Sequence, residues 1–258
     1  MKKYVVLFIL LCVAAGCSKP EQESVIAFGD SNTKGSNWDF RDYPTSEKWV
    51  NLMKNVERGQ IQVKNAGIGG QTTEDAKLRF EQDILKQKPN YVLIMFGTND
   101  AAILDGKHPR VTKKRFKENV TYFISESRKA GITPILMTCV PVVEGGKKGL
   151  YYYSRYKSSY FAERGGARAW QNSYNDITRE IAKDQQVPLV DNWKAFIREA
   201  GEDSDNALIQ SGLIDPSGNH MTPKGARIVY NEIKERDVIK HFLNDGHLPK
   251  QDHPSSID

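Results

Sequence analysis

The chain has 258 residues, 39% of them hydrophobic and 27% charged, with a formal net charge of +5. That length supports one sizeable core and is short for two full domains. Ordinary apolar and charged content, with Gly 20 and Pro 11, excludes disordered, collagen-like and membrane-spanning classes for the bulk of the chain.

Residues 1–16 break the pattern. Lys2 and Lys3 precede an apolar run from Val5 to Ala15 that ends at Gly16 and Cys17, the layout of an export signal and too short to span a bilayer comfortably. Val13-Ala14-Ala15-Gly16-Cys17 resembles a bacterial lipobox, although Ala14 stands where such motifs more often carry leucine. Cleavage before Cys17 leaves its thiol free to take diacylglycerol. The alternative is an ordinary secretory signal with a stray cysteine; either way the protein leaves the cytoplasm. The expected division is a signal peptide over 1–16, a lipidated tether over 17–23, one globular domain over 24–243 and a polar tail over 244–258. The expected location is the cell envelope, with Cys17 as membrane anchor and the domain facing periplasm or exterior. Of the three cysteines, only Cys139 falls within the domain, so no internal disulfide is available. Its apolar neighbours mark it as an inert packing group.

Five apolar runs read as strands: Val25 to Phe28, Ile61 to Val63, Tyr91 to Phe96, Ile132 to Val140 and Val187 to Val190. Helical patterns fill the gaps, with one face each from Trp49, Leu52, Met53 and Val56, from Phe116, Val120 and Phe123, and from Trp170, Tyr174, Ile177 and Ile181. This alternation implies a parallel sheet covered on both faces. Tyr91 to Phe96 is continuously apolar, as a central strand should be, whereas Ile61-Gln62-Val63-Lys64 alternates like an edge. Pro188 sends the fifth strand to the other edge or takes its first position. The order 2-1-3-4-5 of a flavodoxin-like three-layer α/β/α sandwich fits, with ligands beyond the carboxyl ends of the strands. Residues 144–166, rich in glycine and tyrosine, read as a long loop with some helix. The densest basic run, Lys113, Lys114, Arg115 and Lys117, shares a helix with apolar residues and reads as a solvated face. No nucleic-acid signature emerges.

Candidate chemistry collects at the strand ends. The first strand delivers Gly29-Asp30-Ser31-Asn32, putting a hydroxyl beyond a sharp turn, though the triplet is also a good helix cap. The second ends in Asn65-Ala66-Gly67-Ile68-Gly69-Gly70, whose backbone N–H groups suit an anion or oxyanion. A dinucleotide fingerprint fails there, because its third glycine falls at Thr72. The third ends in Gly97-Thr98-Asn99-Asp100, where the Asn99 amide is a donor or an Asx cap. Asp215-Pro216-Ser217-Gly218-Asn219-His220 precedes the final helix, with Thr222 as its cap. Histidine is suited to take a proton near neutral pH. The spacing of His241, His247 and His253 fits no usual zinc motif, so neither metal nor cofactor is expected.

In Gly29-Asp30-Ser31, Asn65 to Gly70, Gly97 to Asp100 and His220, the chain resembles the SGNH hydrolases, also called the GDSL esterase and lipase superfamily. The resemblance implies Ser31 as nucleophile, His220 as general base, and an oxyanion hole from the Ser31 N–H, the Gly70 N–H and the Asn99 side chain. It also implies acylation of Ser31, departure of the alcohol and hydrolysis of the acyl-enzyme. Asn32 replaces the leucine of the older motif name. Ser217 stands three residues before the histidine, where the family carries its acid. Asp215 is favoured as the acid instead, through a loop folded back at Pro216 and Gly218; the alternatives are a backbone carbonyl or Asp191, which reads better as a helix cap. Trp38, Phe40, Tyr43 and the tyrosines of 151–161 either line a cleft or pack a loop. The expected function is hydrolysis of carboxylic esters, of short acyl groups and O-acetyl groups on small molecules or polysaccharide. Alternatives are an envelope acyltransferase and a non-catalytic carbohydrate-binding lipoprotein.

Overall fold

The computed structural model describes residues 23–37, 43–56, 61–145 and 150–236. The expected signal peptide over 1–16, Cys17, Trp38, Phe40 and the expected tail over 244–258 lie outside them. Strands β1 (Glu23–Gly29), β2 (Ile61–Gly67), β3 (Tyr91–Met95), β4 (Thr133–Met137) and β5 (Leu189–Val190) form one parallel sheet in the order β2-β1-β3-β4-β5. The first strand takes in Glu23, the last residue of the expected tether. Every residue of β3 is buried, whereas in β2 Ile61 and Val63 are buried and Gln62 and Lys64 exposed, as an edge strand requires.

Helices cover both faces. One side packs α2 (Trp49–Val56), α6 (Asn192–Ala200) and α8 (Pro223–Glu235) on Val25, Ala27, Leu93 and Met95. The other packs α3 (Thr73–Asp83), α4 (Lys113–Lys129) and α5 (Gly166–Asp184) on Ile26, Phe28, Val92 and Ile94. Alternate residues of one strand therefore anchor opposite layers. Phe28 centres an aromatic cluster, with ring centroids 5.4 Å from Phe80, 5.2 Å from Phe96 and 5.6 Å from Phe123. No helix among the described residues is long and apolar enough to cross a membrane.

The fourth strand differs from expectation, whereas the 144–166 segment is the expected loop with some helix. The fourth strand stops at Met137 rather than Val140, because the Asn175 side chain of α5 replaces a strand neighbour there: its Oδ1 accepts from the Cys139 N–H at 2.8 Å and its Nδ2 donates to the Cys139 carbonyl at 3.3 Å. The 144–166 segment contains short 3₁₀ turns at Tyr152–Ser154, Ser158–Tyr160 and Ala162–Arg164. Its Tyr152 and Phe161 are buried with Ile103, Val142 and Ala167 in a small core of their own.

Candidate active site

Ser31 opens a one-turn helix, α1 (Ser31–Lys34), directly after β1. Asp30 caps it, its Oδ1 accepting from the Asn32 N–H at 2.9 Å. The turn is tight: a Cβ on Gly29 would lie 2.0 Å from Thr33 Oγ1 and 2.7 Å from the Met95 carbonyl. Glycine is thus required for the strand to turn against its neighbour and present the hydroxyl at the rim.

His220 arrives from the far end of the chain. Its loop lies between α7 (Asp205–Ser211) and α8, whose N-cap is Thr222, accepting from the Gly225 N–H with Pro223 in the first turn. The His220 Nε2 lies 2.9 Å from Ser31 Oγ, the separation at which a base can take the hydroxyl proton. Both residues are buried. Burial, followed by the Arg155 charge, lowers His220 to about 4, while the Asn37 backbone carbonyl opposes the shift without completing a hydrogen bond to Nδ1. The ring is therefore neutral near pH 7 and able to accept a proton.

Asp215 makes no hydrogen bond to that ring. Its Oδ1 accepts from the Ser217 N–H at 2.9 Å and from the Ser217 hydroxyl, and its Oδ2 accepts from the Tyr43 hydroxyl at 3.4 Å. His220 Nδ1 has no hydrogen-bond partner. The carboxylate closes an Asx turn within its own loop, and Ser217 Oγ then accepts from the His220 N–H at 3.1 Å. Asp191 caps α6, accepting from the Lys194 N–H at 3.2 Å, and pairs with Arg179. None of the three orienting groups weighed in the sequence, Asp215, Asp191 or a backbone carbonyl, completes a hydrogen bond to the imidazole Nδ1.

The donor side is mixed. Neither the Ser31 nor the Gly70 N–H has a backbone acceptor among the described residues. Gly70 has φ +77, a left-handed conformation that glycine adopts without strain. The Asn99 amide, in contrast, is engaged: Nδ2 donates to the Gln71 carbonyl at 3.0 Å and to Asp30 Oδ2 at 3.2 Å. Beneath it lie two buried carboxyls. Burial, reinforced by the Asp100 charge and opposed by the Asn32 N–H, raises Asp30 to about 7. Burial also raises Asp100 to about 6 against hydrogen bonds from Thr73. The Cys139 thiol is likewise pushed up by burial.

Two residues escaped sequence reasoning. Asn32, noted only as a departure from leucine, donates through Nδ2 to the Asn219 carbonyl at 2.9 Å and accepts through Oδ1 from the Met221 N–H at 3.1 Å. It grips the chain on both sides of His220. A buried amide beside Ser31 was the available signal, since a side chain with both donor and acceptor implies partners of both kinds. Arg155 donates to the Ser217 carbonyl and to Asn219 Oδ1, a contact with no local sequence signature. The predicted tyrosine wall is largely packing, with Tyr152 and Phe161 buried.

A serine and an imidazole meeting at the carboxyl rim of a 2-1-3-4-5 sheet are the layout of an SGNH hydrolase. The GDSL-like Lipase/Acylhydrolase family model matches residues 25–233; the chain belongs to that family and is a carboxylic ester hydrolase. It is 63% identical over 242 residues to the uncharacterized lipoprotein YqeF of Bacillus subtilis (strain 168), spanning 93% of this chain and 100% of that one. Similarity to an arylesterase of Vibrio mimicus is 30% identity over 240 residues, 92% of this chain and 96% of the other. Among solved structures, the lipase/acylhydrolase from Enterococcus faecalis shares the fold, with a TM-score of 0.62 at 23% identity over 86% of this chain and 96% of that one.

Proposed function

We propose that the protein is a serine esterase in which Ser31 is the nucleophile and His220 the general base, acting on short acyl esters, O-acetyl groups on carbohydrate included. The observation that carries this reading is the 2.9 Å approach of His220 Nε2 to Ser31 Oγ. A serine hydroxyl is a weak nucleophile until a neighbour takes its proton. As Oγ attacks the ester carbon, its proton passes to Nε2 and the carbonyl oxygen becomes an oxyanion facing the Ser31 and Gly70 amides. Asn99 joins them if its Nδ2 exchanges the Gln71 carbonyl for that oxygen. A donor of this kind is worth about 3 kcal/mol in the transition state. Collapse breaks the carbon–oxygen bond of the ester, the imidazolium returns its proton to the leaving alkoxide, and water repeats the cycle on the acyl-enzyme. Asp215 serves this reading as a brace for the histidine loop.

The name of the Bacillus subtilis relative supports the further proposal that Cys17 carries a lipid anchor and holds the domain at the cell envelope. The arylesterase relative supports aryl acetates as assay substrates. A p-nitrophenyl ester chain-length series with wild type and Ser31→Ala tests the reading. Turnover should be greatest on the acetate and absent in the variant, together with labelling by a fluorophosphonate. Labelling that persists in Ser31→Ala would refute Ser31 as nucleophile.

A further inference from the structure

Arg155 lies in the segment between β4 and α5 and is fixed to the histidine loop by one end only. Its Nη2 donates to the Ser217 carbonyl at 2.6 Å and to Asn219 Oδ1 at 2.7 Å. The guanidinium rests 5.6 Å from the centroid of the Tyr156 ring. Arg79, Arg168 and Arg179 each meet a carboxylate, whereas Arg155 meets none among the described residues. Asp215 feels its charge without pairing with it. The residue is exposed, and its Nε and Nη1 donors have no partner among the described residues. A cation is thus held in place beside a catalytic loop, with its Nη1 and Nε donors each open to meet an anionic oxygen singly, since both two-donor edges of the guanidinium include the occupied Nη2.

The side of the site follows from the chemistry proposed above. His220 must hand its proton to the leaving alkoxide, so the alcohol portion of the ester lies on the histidine side, away from the Gly70 and Asn99 donors. Arg155 is bonded to the residues that lead into His220. We infer that Arg155 reads an anionic oxyacid group on the alcohol portion, making the substrate class esters of acidic alcohols, such as acetyl groups on a carboxylate- or phosphate-bearing glycan. An anion there has a second effect. Arg155 now works against a charged imidazole; neutralising it eases formation of the imidazolium, so the preference should reach kcat as well as KM.

This inference rests on the Ser31–His220 esterase reading, and the experiment separates the two. The full-length protein is assayed on para-acetoxybenzoate, on para-acetoxyphenyl phosphate and on the neutral carboxamide analogue, across a range of salt. Wild type should prefer at least one anionic ester by about tenfold or more in kcat/KM at low ionic strength, the preference shrinking as salt rises. Which anion leads distinguishes carboxylate from phosphate. Arg155→Gln should bring the anionic-to-neutral ratio close to unity, and Arg155→Lys should keep part of it. A bracing role alone would lower both rates together and leave the ratio at its wild-type value, which overturns the inference. So does wild-type turnover of all three esters without preference, a result that leaves the esterase reading intact and does not depend on any variant folding. Failure to hydrolyse any of the three overturns both.

Discussion

Asn32 and Asp215 show how side chains next to Ser31 and His220 divide the labour of holding them together. Asn32 spans from the helix that Ser31 opens to the carbonyl before His220 and the N–H after it, so one amide sets the spacing of hydroxyl and ring. Asn32→Leu leaves both buried groups unpaired, at about 1–3 kcal/mol each. It also frees the ring to drift, and a misplacement of about 1 Å can cost on the order of a hundredfold in rate. Kinetics on p-nitrophenyl acetate should therefore show a fall in kcat much larger than any rise in KM, with a lowered thermal midpoint; unchanged kcat would remove Asn32 from this role. Asp215 sits differently, its carboxylate engaged by Ser217 and Tyr43. Asp215→Asn keeps an acceptor for Ser217 and should cost less than about tenfold in kcat, against roughly ten-thousandfold where an aspartate orients the histidine of a triad. A loss of that larger size would restore Asp215 as the orienting acid.

At the level of elements, the sheet could be read from the chain because strand identity is a local property: continuous apolar runs mark β3, and alternation marks β2 as an edge. The end of β4 was not legible, since it depends on Asn175 reaching across from α5. The same distinction divides the site. Ser31, Gly70, Asn99 and His220 stand at element ends that local patterns reveal, whereas the Arg155 contact joins two loops 62 and 64 residues apart in the chain. Asp215, expected at the imidazole, instead meets a local partner, the Ser217 N–H two residues on. Packing makes its own prediction. Phe123 is fully buried in α4 against Phe28 and Phe80, with centroids at 5.6 and 4.8 Å. Phe123→Ala should destabilise the fold by about 3–5 kcal/mol in denaturant titrations, while fluorophosphonate labelling of the remaining folded protein persists. A loss under about 1 kcal/mol would mean the two layers repack without it.

Across the whole molecule, buried ionisable groups set opposing responses to pH. Asp30 and Asp100 are raised to about 7 and about 6 from 3.8, so the folded state holds their protons more tightly than the unfolded chain. The stability this gives is complete below about pH 4 and is lost as pH rises through those values. His220, lowered to about 4 from 6.5, contributes stability that is complete above its unfolded value and is lost as pH falls through about 4. At pH 6.5 the unfolded His220 is half titrated and still opposes Asp30 and Asp100, so the unfolding midpoint should decline only gently from there to about pH 8, and Asp30→Asn should remove the decline or reverse it. A midpoint that rises over that interval would contradict burial of an ionisable Asp30. In kinetics, the acid limb of kcat/KM should lie near the His220 value of about 4 rather than in the ordinary imidazole range.

The Ser31 hydroxyl and the His220 imidazole come from positions 189 residues apart, one at the mouth of the first strand and the other just ahead of α8. On the proposed chemistry, Ser31 is therefore synthesised early and remains chemically idle until the closing helix docks. Recovery of esterase activity after dilution from denaturant should coincide with that last docking event and lag behind the return of helical signal, because contacts so distant along the chain are slow to form.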